Sequence, residues 1–232
     1  MRVAPVLLLV MLLACCGGEA PKTEPASLPS QPASDSARAE PGELRRDRLP
    51  RIVFLGDSLT AGLGLSSDKS FPALIGSKLK DKGLEYEVIN AGVSGDTSAG
   101  GLRRLDWSLE GDVRVLVLAL GANDGLRGLP VDDMKKNLAA VLERARVRGI
   151  PVILAGMEAP PNNGIDYTTA FRAVYTDLAK RYQVRLIPFL LQGVAGEGSL
   201  NQADGIHPNT RGAEIVAELV WAELEPMVRR PN

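Results

Sequence analysis

Histidine and cysteine are almost absent from this sequence. Its 232 residues include one histidine, His207, and two cysteines, Cys15 and Cys16, which are adjacent near the N-terminus. The chain beyond residue 16 therefore has no thiol, which excludes a cysteine nucleophile, a disulfide framework and a cysteine-based metal site there. A single imidazole also makes a zinc site unexpected, since such sites commonly use two or three. We predict a protein without metal or cofactor.

The chain also has no excess of charge of either sign. It has 27 Lys and Arg residues against 28 Asp and Glu residues, for a net charge of −1. Nucleic-acid binding requires clustered Lys and Arg, and the one basic cluster, Arg45-Arg46-Asp47-Arg48, is interrupted by an acid. We therefore predict no nucleic-acid partner. The hydrophobic fraction of 45% is ordinary for a globular protein, and the length allows one domain with appendages.

Residues 1–14 have the composition of a signal peptide. An apolar run over residues 3–14 is too short to span a membrane as a helix. The run ends in Leu12-Leu13-Ala14-Cys15, which resembles the lipobox of bacterial lipoproteins. The resemblance implies that Cys15 is lipidated and anchors the protein in the bacterial cell envelope. Because Cys16 is not an aspartate, the resemblance favours the outer membrane, facing the periplasm. The alternative is an ordinary secretory signal with an incidental cysteine.

Residues 15–49 have a composition typical of a linker. They contain five prolines among alanine, serine, glutamate and lysine, with almost no large apolar residue. Such a segment cannot bury enough apolar surface to offset the entropy of ordering it. We predict a flexible tether that carries the lipid anchor, followed by one folded domain over residues 50–232.

Apolar runs alternate with helical patterns from residue 51 onward. The run at residues 113–120 is too apolar to have a solvated face, so helices should cover it on both sides. We therefore predict an α/β fold, a doubly wound three-layer αβα sandwich around a five-stranded parallel sheet. Strands are predicted near residues 51–56, 86–91, 113–120, 151–157 and 184–189, and helices near residues 70–82, 98–109, 131–148, 166–182 and 209–229.

A serine lies where the first predicted strand ends. The apolar run at residues 51–55 is followed by Gly56-Asp57-Ser58-Leu59, and ligands bind at the carboxyl ends of strands in open α/β sheets. Taken alone, Gly-Asp-Ser is a weak signal, because Asp and Ser after a strand usually cap a helix or close a turn. We expect Asp57 to serve the turn through hydrogen bonds to nearby backbone, not to transfer protons.

Three further blocks follow in the chain. Gly92-Val93-Ser94-Gly95-Asp96 and Gly121-Ala122-Asn123-Asp124-Gly125 each follow an apolar run, and Asp204-Gly205-Ile206-His207-Pro208 contains the only histidine. Ser, Gly, Asn and His in this order resemble the four blocks of the SGNH hydrolases, also called GDSL esterases and lipases. The block around Asn123 is similar to that of the thioesterase I, lysophospholipase and arylesterase branch. The resemblance extends from about residue 50 to the C-terminus, and four ordered blocks are more specific than any one.

The first and last blocks hold the residue types of a catalytic triad. Acyl transfer to serine needs a hydroxyl, a base to remove its proton and a group that orients the base. Ser58 would be the nucleophile and His207 the base. Asp204 lies three residues before the histidine, so one tight turn, eased by Gly205, would bring its carboxylate to the ring. A surface or helix-capping histidine is the alternative.

The family resemblance also implies an oxyanion hole. Its donors would be the backbone N–H groups of Ser58 and Gly95 and the side-chain amide of Asn123. Glycine lets the main chain approach a substrate closely, and an amide can donate where a carboxylate cannot. Each position has an alternative explanation, because Gly95 would also suit an ordinary turn and Asn123 an ordinary turn before a helix.

The segment Met157-Glu158-Ala159-Pro160-Pro161-Asn162-Asn163-Gly164 lies between a predicted strand and a predicted helix. It should therefore lie on the same rim as the four blocks. In the thioesterase I branch the similar loop borders the acyl pocket, which implies a substrate loop with Pro160, Pro161 and Asn162. The alternative is a rigid connection with no role in binding.

These features together predict a serine esterase. The resemblance implies a carboxylic-ester hydrolase that acts through an acyl-enzyme on short to medium acyl esters, namely aryl esters, thioesters or lysophospholipids. One alternative is an envelope polysaccharide O-acetylesterase or acyltransferase with the same triad. Another is a non-catalytic lipoprotein that binds acyl chains or sugars. We expect a monomer whose partners are the small acyl substrate and, through the lipid anchor, a membrane.

Overall fold

Five parallel strands form the sheet at the centre of the fold. The computed structural model describes residues 49–229, so the predicted signal peptide, Cys15 and nearly all of the predicted linker lie outside the described residues. The strands are β1 Arg51–Gly56, β2 Glu87–Gly92, β3 Val113–Ala119, β4 Val152–Ala155 and β5 Arg185–Ile187. They are arranged in the order β2-β1-β3-β4-β5, with every neighbouring pair parallel. The predicted five-stranded parallel sheet is therefore confirmed.

Helices cover both faces of this sheet, as predicted. On one face α2 packs against α8, and on the other α6 packs against α3 and α7, which gives three layers. No helix within residues 49–229 is long and apolar enough to cross a membrane. The helices are α1 Ser58–Ala61, α2 Phe71–Asp81, α3 Ser98–Arg103, α4 Leu105–Ser108, α5 Ala122–Leu126, α6 Val131–Val147, α7 Ile165–Tyr182 and α8 Thr210–Val228.

Two of the three interior strands, β1 and β3, are buried because they carry almost no polar side chain. In β3 every residue except Arg114 is buried, and in β1 the residues 52–55 are completely inaccessible to solvent. Burial of a large aliphatic side chain stabilises the fold by about 1.5–3 kcal/mol. A strand of this composition cannot sit at a solvated face. This composition explains why both strands occupy the middle of the sheet.

The strand order creates a switch point between β1 and β3. The chain leaves β1 towards the layer of α2 and leaves β3 towards the layer of α6, although the two strands are neighbours. In doubly wound folds with this order, ligands bind in the crevice outside the carboxyl ends of these strands, because the connections diverge there. The turns that follow β1 and β3 therefore face each other across a crevice.

The observed helices differ from the prediction in two ways. The helix predicted over residues 98–109 is two short helices, because Arg104 leaves the helical conformation (φ −101°, ψ 6°). Helices α1 and α5 were not predicted, since four or five residues are too few to show a helical period. Strands β4 and β5 are shorter than predicted, while the other element bounds agree within about two residues, the usual uncertainty at element ends.

Two glycine substitutions should have opposite effects on stability. At Gly92, at the end of β2, an added Cβ would lie 2.8 Å from both the Ala61 Cα and the Thr60 carbonyl carbon. Helix α1 would have to move, so Gly92→Ala should destabilise the protein by about 1–3 kcal/mol. Gly76 lies inside α2, and its added Cβ would make an ordinary 3.6 Å contact with Val88.

Because glycine is a poor helix former, Gly76→Ala should stabilise the protein by up to about 1 kcal/mol. Urea unfolding of the two variants beside the parent protein measures both effects. Equal stabilities for the two variants would contradict the close contact between α1 and the end of β2.

Candidate active site

Ser58 lies in the sharp turn between β1 and α1. Strand β1 ends at Gly56, and Asp57 caps α1 by accepting a hydrogen bond from the Leu59 N–H at 3.0 Å. Gly56 has no room for a side chain, because an added Cβ would overlap the Thr60 side chain. The turn holds the half-buried Ser58 as the first residue of α1, at the carboxyl edge of the sheet. Asp57 makes the local backbone bond expected of it.

The predicted triad residues lie in direct contact. The Ser58 Oγ is 2.8 Å from the His207 Nε2, although 149 residues separate the two along the chain. The His207 Nδ1 is 2.7 Å from the Asp204 Oδ2. With Nδ1 donating to the carboxylate, Nε2 presents its lone pair to the serine hydroxyl, which is the tautomer that removes a proton.

Asp204 is held in its charged form by hydrogen bonds. Its Oδ1 accepts from the backbone N–H groups of His207 and Ile206 at 3.0 and 2.9 Å. These bonds and the imidazole, with the His207 backbone N–H as the largest contribution, lower the pKa of Asp204 to about 2. The carboxylate is therefore ionised throughout the neutral range and can stabilise a positive charge on the ring.

The loop that carries Asp204 and His207 is braced against the loop after α1. The Gln202 Nε2 donates to the Leu63 carbonyl at 2.7 Å and to the Pro208 carbonyl at 3.0 Å. Gly205, with φ of +68°, closes a turn in which its N–H donates to the Gln202 carbonyl. The role of Gln202 was not predicted, because a glutamine that bonds to carbonyl groups leaves no periodic pattern.

Gly95 and Asn123 line the same cleft as Ser58. Residues 93–96 form a turn in which the Asp96 N–H donates to the Val93 carbonyl at 3.0 Å, and Gly95 takes the positive φ of +83° that this turn requires. The Asn123 amide donates to the Asp96 carbonyl at 2.9 Å. Its other N–H makes only a long contact of 3.4 Å with Asp57. That second N–H is therefore available to an oxyanion while the first stays bound to the Asp96 carbonyl.

Asp57 is a buried carboxylic acid beneath this site. Only 1% of its surface is exposed, and burial raises its pKa to about 6, against smaller opposing effects of the Leu59 N–H and of His207. Water is a far better solvent for a carboxylate than the protein interior, so the neutral form is favoured. Asp57 and Asp204 are thus two carboxyl groups near one imidazole with opposite pKa shifts.

A cleft of about 670 Å³ opens beside the triad. Its wall includes the predicted loop residues Pro160 and Pro161, but Asn162 lies outside it, exposed in the short 3₁₀ turn Pro161–Asn163. The neighbouring Asn163 instead donates to the Gly125 carbonyl at 2.9 Å and ties the loop to α5. Most other wall residues are apolar: Leu59, Leu63, Ala122, Leu126, Met157, Ala159, Phe189, Leu191, Ala195 and Ile206.

A second buried polar cluster supports the Asn123 turn. The Asp124 carboxylate accepts from the Ser98 hydroxyl at 2.6 Å and from the Ser98 N–H at 2.8 Å, and Asn137 donates to the same hydroxyl. Asp124 is 3% exposed, so these bonds replace the water it has lost. This cluster was not predicted, because a serine at the start of a predicted helix usually only caps that helix.

The site as a whole has the parts of a serine acyl hydrolase. A serine hydroxyl contacts an imidazole, the imidazole contacts an ionised carboxylate, and an amide lies beside an apolar cleft. Nucleophile, base and orienting group in this arrangement identify enzymes that form acyl-enzymes on serine. No group of three or more His, Cys, Asp or Glu side chains within residues 49–229 is placed to hold a metal.

The chain belongs to the GDSL-like Lipase/Acylhydrolase family, whose profile matches residues 54–215. It is 43% identical over 178 residues to Esterase TesA of Pseudomonas aeruginosa strain PAO1, covering 76% of this chain and 89% of the relative. It is 36% identical over 182 residues to Thioesterase 1/protease 1/lysophospholipase L1 of Escherichia coli K12, covering 78% and 86%. The predicted family is therefore confirmed.

A solved structure agrees with this assignment. The esterase EstA from Pseudoalteromonas sp., inhibited by monoethylphosphonate, is 32% identical and superposes with a TM-score of 0.73, covering 78% of this chain and 99% of that chain. The relatives are esterases and a thioesterase, and the chain has the serine site described above. It is accordingly a serine ester hydrolase.

The buried Asp57 should make stability depend on pH in a defined direction. Its pKa in the folded protein, about 6, is higher than the ordinary value of 3.8 that it has when unfolded. Its contribution to stability is therefore complete below pH 3.8 and is lost as the pH rises through about 6. Asp57→Asn keeps an oxygen for the helix cap but does not titrate.

Between about pH 4 and pH 7, the stability of the parent protein relative to Asp57→Asn should fall by roughly 2 kcal/mol. Urea unfolding across this pH range measures the difference in the free energy of unfolding between the two proteins. The contributions of the other titrating groups are the same in both proteins and cancel. Asp81→Asn, at an exposed position, controls for the substitution itself. If the difference in stability between the parent protein and Asp57→Asn does not change with pH, burial does not raise the pKa of Asp57.

Proposed function

We propose that the protein hydrolyses short to medium acyl esters through an acyl-enzyme on Ser58. The single observation that carries this proposal is the 2.8 Å contact between the Ser58 Oγ and the His207 Nε2 at the edge of the apolar cleft. The hydroxyl attacks the carbonyl carbon of the ester while His207 takes its proton. Asp204 holds the ring in the required tautomer and stabilises the imidazolium that forms.

The attack converts the carbonyl oxygen into an oxyanion, which needs donors in fixed positions. The backbone N–H groups of Ser58 and Gly95 and the amide of Asn123 supply them. Gly95 and Asn123 both line the cleft, and the amide is already held by the Asp96 carbonyl. Because such donors need no rearrangement when charge develops, the loss of one typically costs about 3 kcal/mol of transition-state stabilisation.

The imidazolium then returns the proton to the leaving group. The bond from the carbonyl carbon to the leaving oxygen or sulfur breaks, an alcohol or thiol departs, and the acyl group stays on Ser58. In the second half, His207 removes a proton from water, water attacks the acyl carbon, and the proton goes to the Ser58 oxygen as the acid leaves. Oxygen esters and thioesters follow the same steps.

The cleft supports an acyl group as the recognised part of the substrate. Its wall is mainly aliphatic and aromatic, and its volume of about 670 Å³ lies within the range of small-molecule sites. A relative at 36% identity is named as a thioesterase and lysophospholipase, which supports thioesters and lysophospholipids beside simple esters. Pro160 and Pro161 make one wall of the cleft rigid, and a rigid wall favours acyl chains of limited length.

Replacement of Ser58 tests the mechanism. Ser58→Ala should lower kcat for p-nitrophenyl butyrate by at least roughly 10⁴-fold, because it removes the hydroxyl that contacts the His207 Nε2 and forms the acyl-enzyme. The parent protein should gain the mass of one phosphonate after treatment with a fluorophosphonate, and the variant should not. Ser77→Ala, on the exposed side of α2, is the matched control. Full activity in Ser58→Ala would overturn the mechanism.

We also propose that Cys15 carries a lipid and holds the enzyme at a membrane of the bacterial cell envelope, with the outer membrane as the predicted site. Support comes from the resemblance of Leu12-Leu13-Ala14-Cys15 to a lipobox and from the linker composition of residues 15–49. The membrane is then a partner through the lipid alone.

The adjacent cysteine offers a matched control for lipidation. In a diderm host, the full chain should incorporate labelled palmitate and sediment with membranes, and Cys15→Ser should do neither. Cys16→Ser should behave like the parent, since the residue after the modified cysteine carries no lipid. A soluble parent protein, or loss of label only in Cys16→Ser, would contradict the proposal.

A further inference from the structure

Arg104 makes three short hydrogen bonds to three separate segments behind the active site. Its Nε donates to the Asp96 carboxylate at 2.6 Å, its Nη1 to the Ala91 carbonyl at 2.7 Å and its Nη2 to the Gly56 carbonyl at 2.7 Å. The side chain is 17% exposed and that of Asp96 is 18% exposed. Arg104 does not line the cleft, and it lies outside the four sequence blocks.

The bonded segments are those that carry the oxyanion donors. The Gly56 carbonyl lies two residues before Ser58, and Asp96 directly follows Gly95. The Asp96 carbonyl in turn accepts the hydrogen bond of the Asn123 amide. A single guanidinium therefore connects the end of β1, the end of β2 and the turn at residues 93–96, and through Asp96 it reaches the third donor.

Two other side chains contact these segments: the Arg127 Nη2 donates to the Gly95 carbonyl at 2.8 Å and the Asn90 Nδ2 to the Thr60 carbonyl at 2.9 Å. Arg104 differs from both because it bonds to all three segments at once. The Gly56 carbonyl also accepts from the Val93 N–H at 3.1 Å, which leaves one lone pair for Arg104. Planar guanidinium donors point in fixed directions, and bonds between charged groups are shorter and stronger than neutral ones.

The local backbone is consistent with this use of Arg104. Residue 104 interrupts the helical segment between α3 and α4, with φ of −101° and ψ of 6°. The interruption lies where the side chain turns towards the strand ends. A lysine in its place has one nitrogen, and a single ammonium cannot donate along all three directions that the fork of arginine covers.

We propose that Arg104 is a positioning residue for the oxyanion hole. It holds the backbone N–H groups of Ser58 and Gly95 and, through Asp96, the amide of Asn123 in the arrangement that receives the developing charge. Arg104 does not touch the substrate. Its effect should therefore appear in the transition state and not in substrate binding. The inference rests on the proposed serine mechanism and assigns to it a residue that the four blocks do not include.

Arg104→Lys should lower kcat for p-nitrophenyl butyrate by roughly 10- to 100-fold while KM changes by less than about threefold. The loss should be smaller than that of a deleted donor, because the donors are displaced and not removed. Asp96→Asn keeps an acceptor for Arg104 and should show the same pattern with a smaller loss. Arg114→Lys is the control, since Arg114 pairs with Asp112 on the exposed side of β3.

A double substitution separates positioning from general loss of structure. If Arg104 acts through the donors, Arg104→Lys should cost distinctly less in an Asn123→Ala background than in the parent, because one of the donors it positions is already gone. A structural defect alone would give additive losses. Urea unfolding of each variant shows whether it is folded under assay conditions.

The outcomes distinguish this inference from the mechanism on which it rests. A parent protein without esterase activity, or an active Ser58→Ala variant, would overturn the serine mechanism itself. With that mechanism intact, an unchanged kcat in Arg104→Lys, a rise in KM alone, or additive losses with Asn123→Ala would overturn the positioning role. If Arg104→Lys does not fold, the kcat and KM of Asp96→Asn test the positioning role instead. Values unchanged from those of the parent protein would overturn that role.

Discussion

The parallel pairing of β1 with β2 on one side and with β3 on the other is the constraint on which the site depends. Because all three strands run in the same direction, their carboxyl ends meet at one edge, at Gly56, Gly92 and Ala119. Each strand is followed by a turn that bears one polar group of the site. A shift of one strand by one residue would turn the side chains of each face towards the opposite helix layer, so packing of the core fixes the register of the site as well.

The site obtains its electrostatic properties from carboxyl groups in different surroundings. Asp204 is exposed and accepts several hydrogen bonds, so its pKa lies well below the ordinary value. Asp57 is buried with fewer donors, so its pKa lies above that value. Asp124 is buried as well, and both of its oxygens accept from Ser98. Hydrogen bonding and burial thus divide one residue type into an orienting charge, a helix cap and a structural anchor.

Most of the fold and the central part of the site could be predicted from the sequence. The strands β1 and β3 are apolar except for Arg51 and Arg114, and their pattern admits few other structures. The triad could be predicted because the chain has one histidine, with an aspartate three residues before it. The rest depends on side chains that bond to backbone carbonyl groups, such as Arg104, Gln202 and Asn163. Carbonyl groups are present at every residue, so these contacts have no sequence signature.

The direction of β1 also has a consequence for access to the enzyme. The strand begins at Arg51 and ends at Gly56, so the polypeptide enters the domain at the edge of the sheet opposite to Ser58. Six residues of strand separate the two edges by roughly 20 Å. The described chain therefore enters the sheet at the edge that carries none of the triad residues. The cleft at Ser58 opens at the other edge, so a substrate reaches it without passing the start of the described chain.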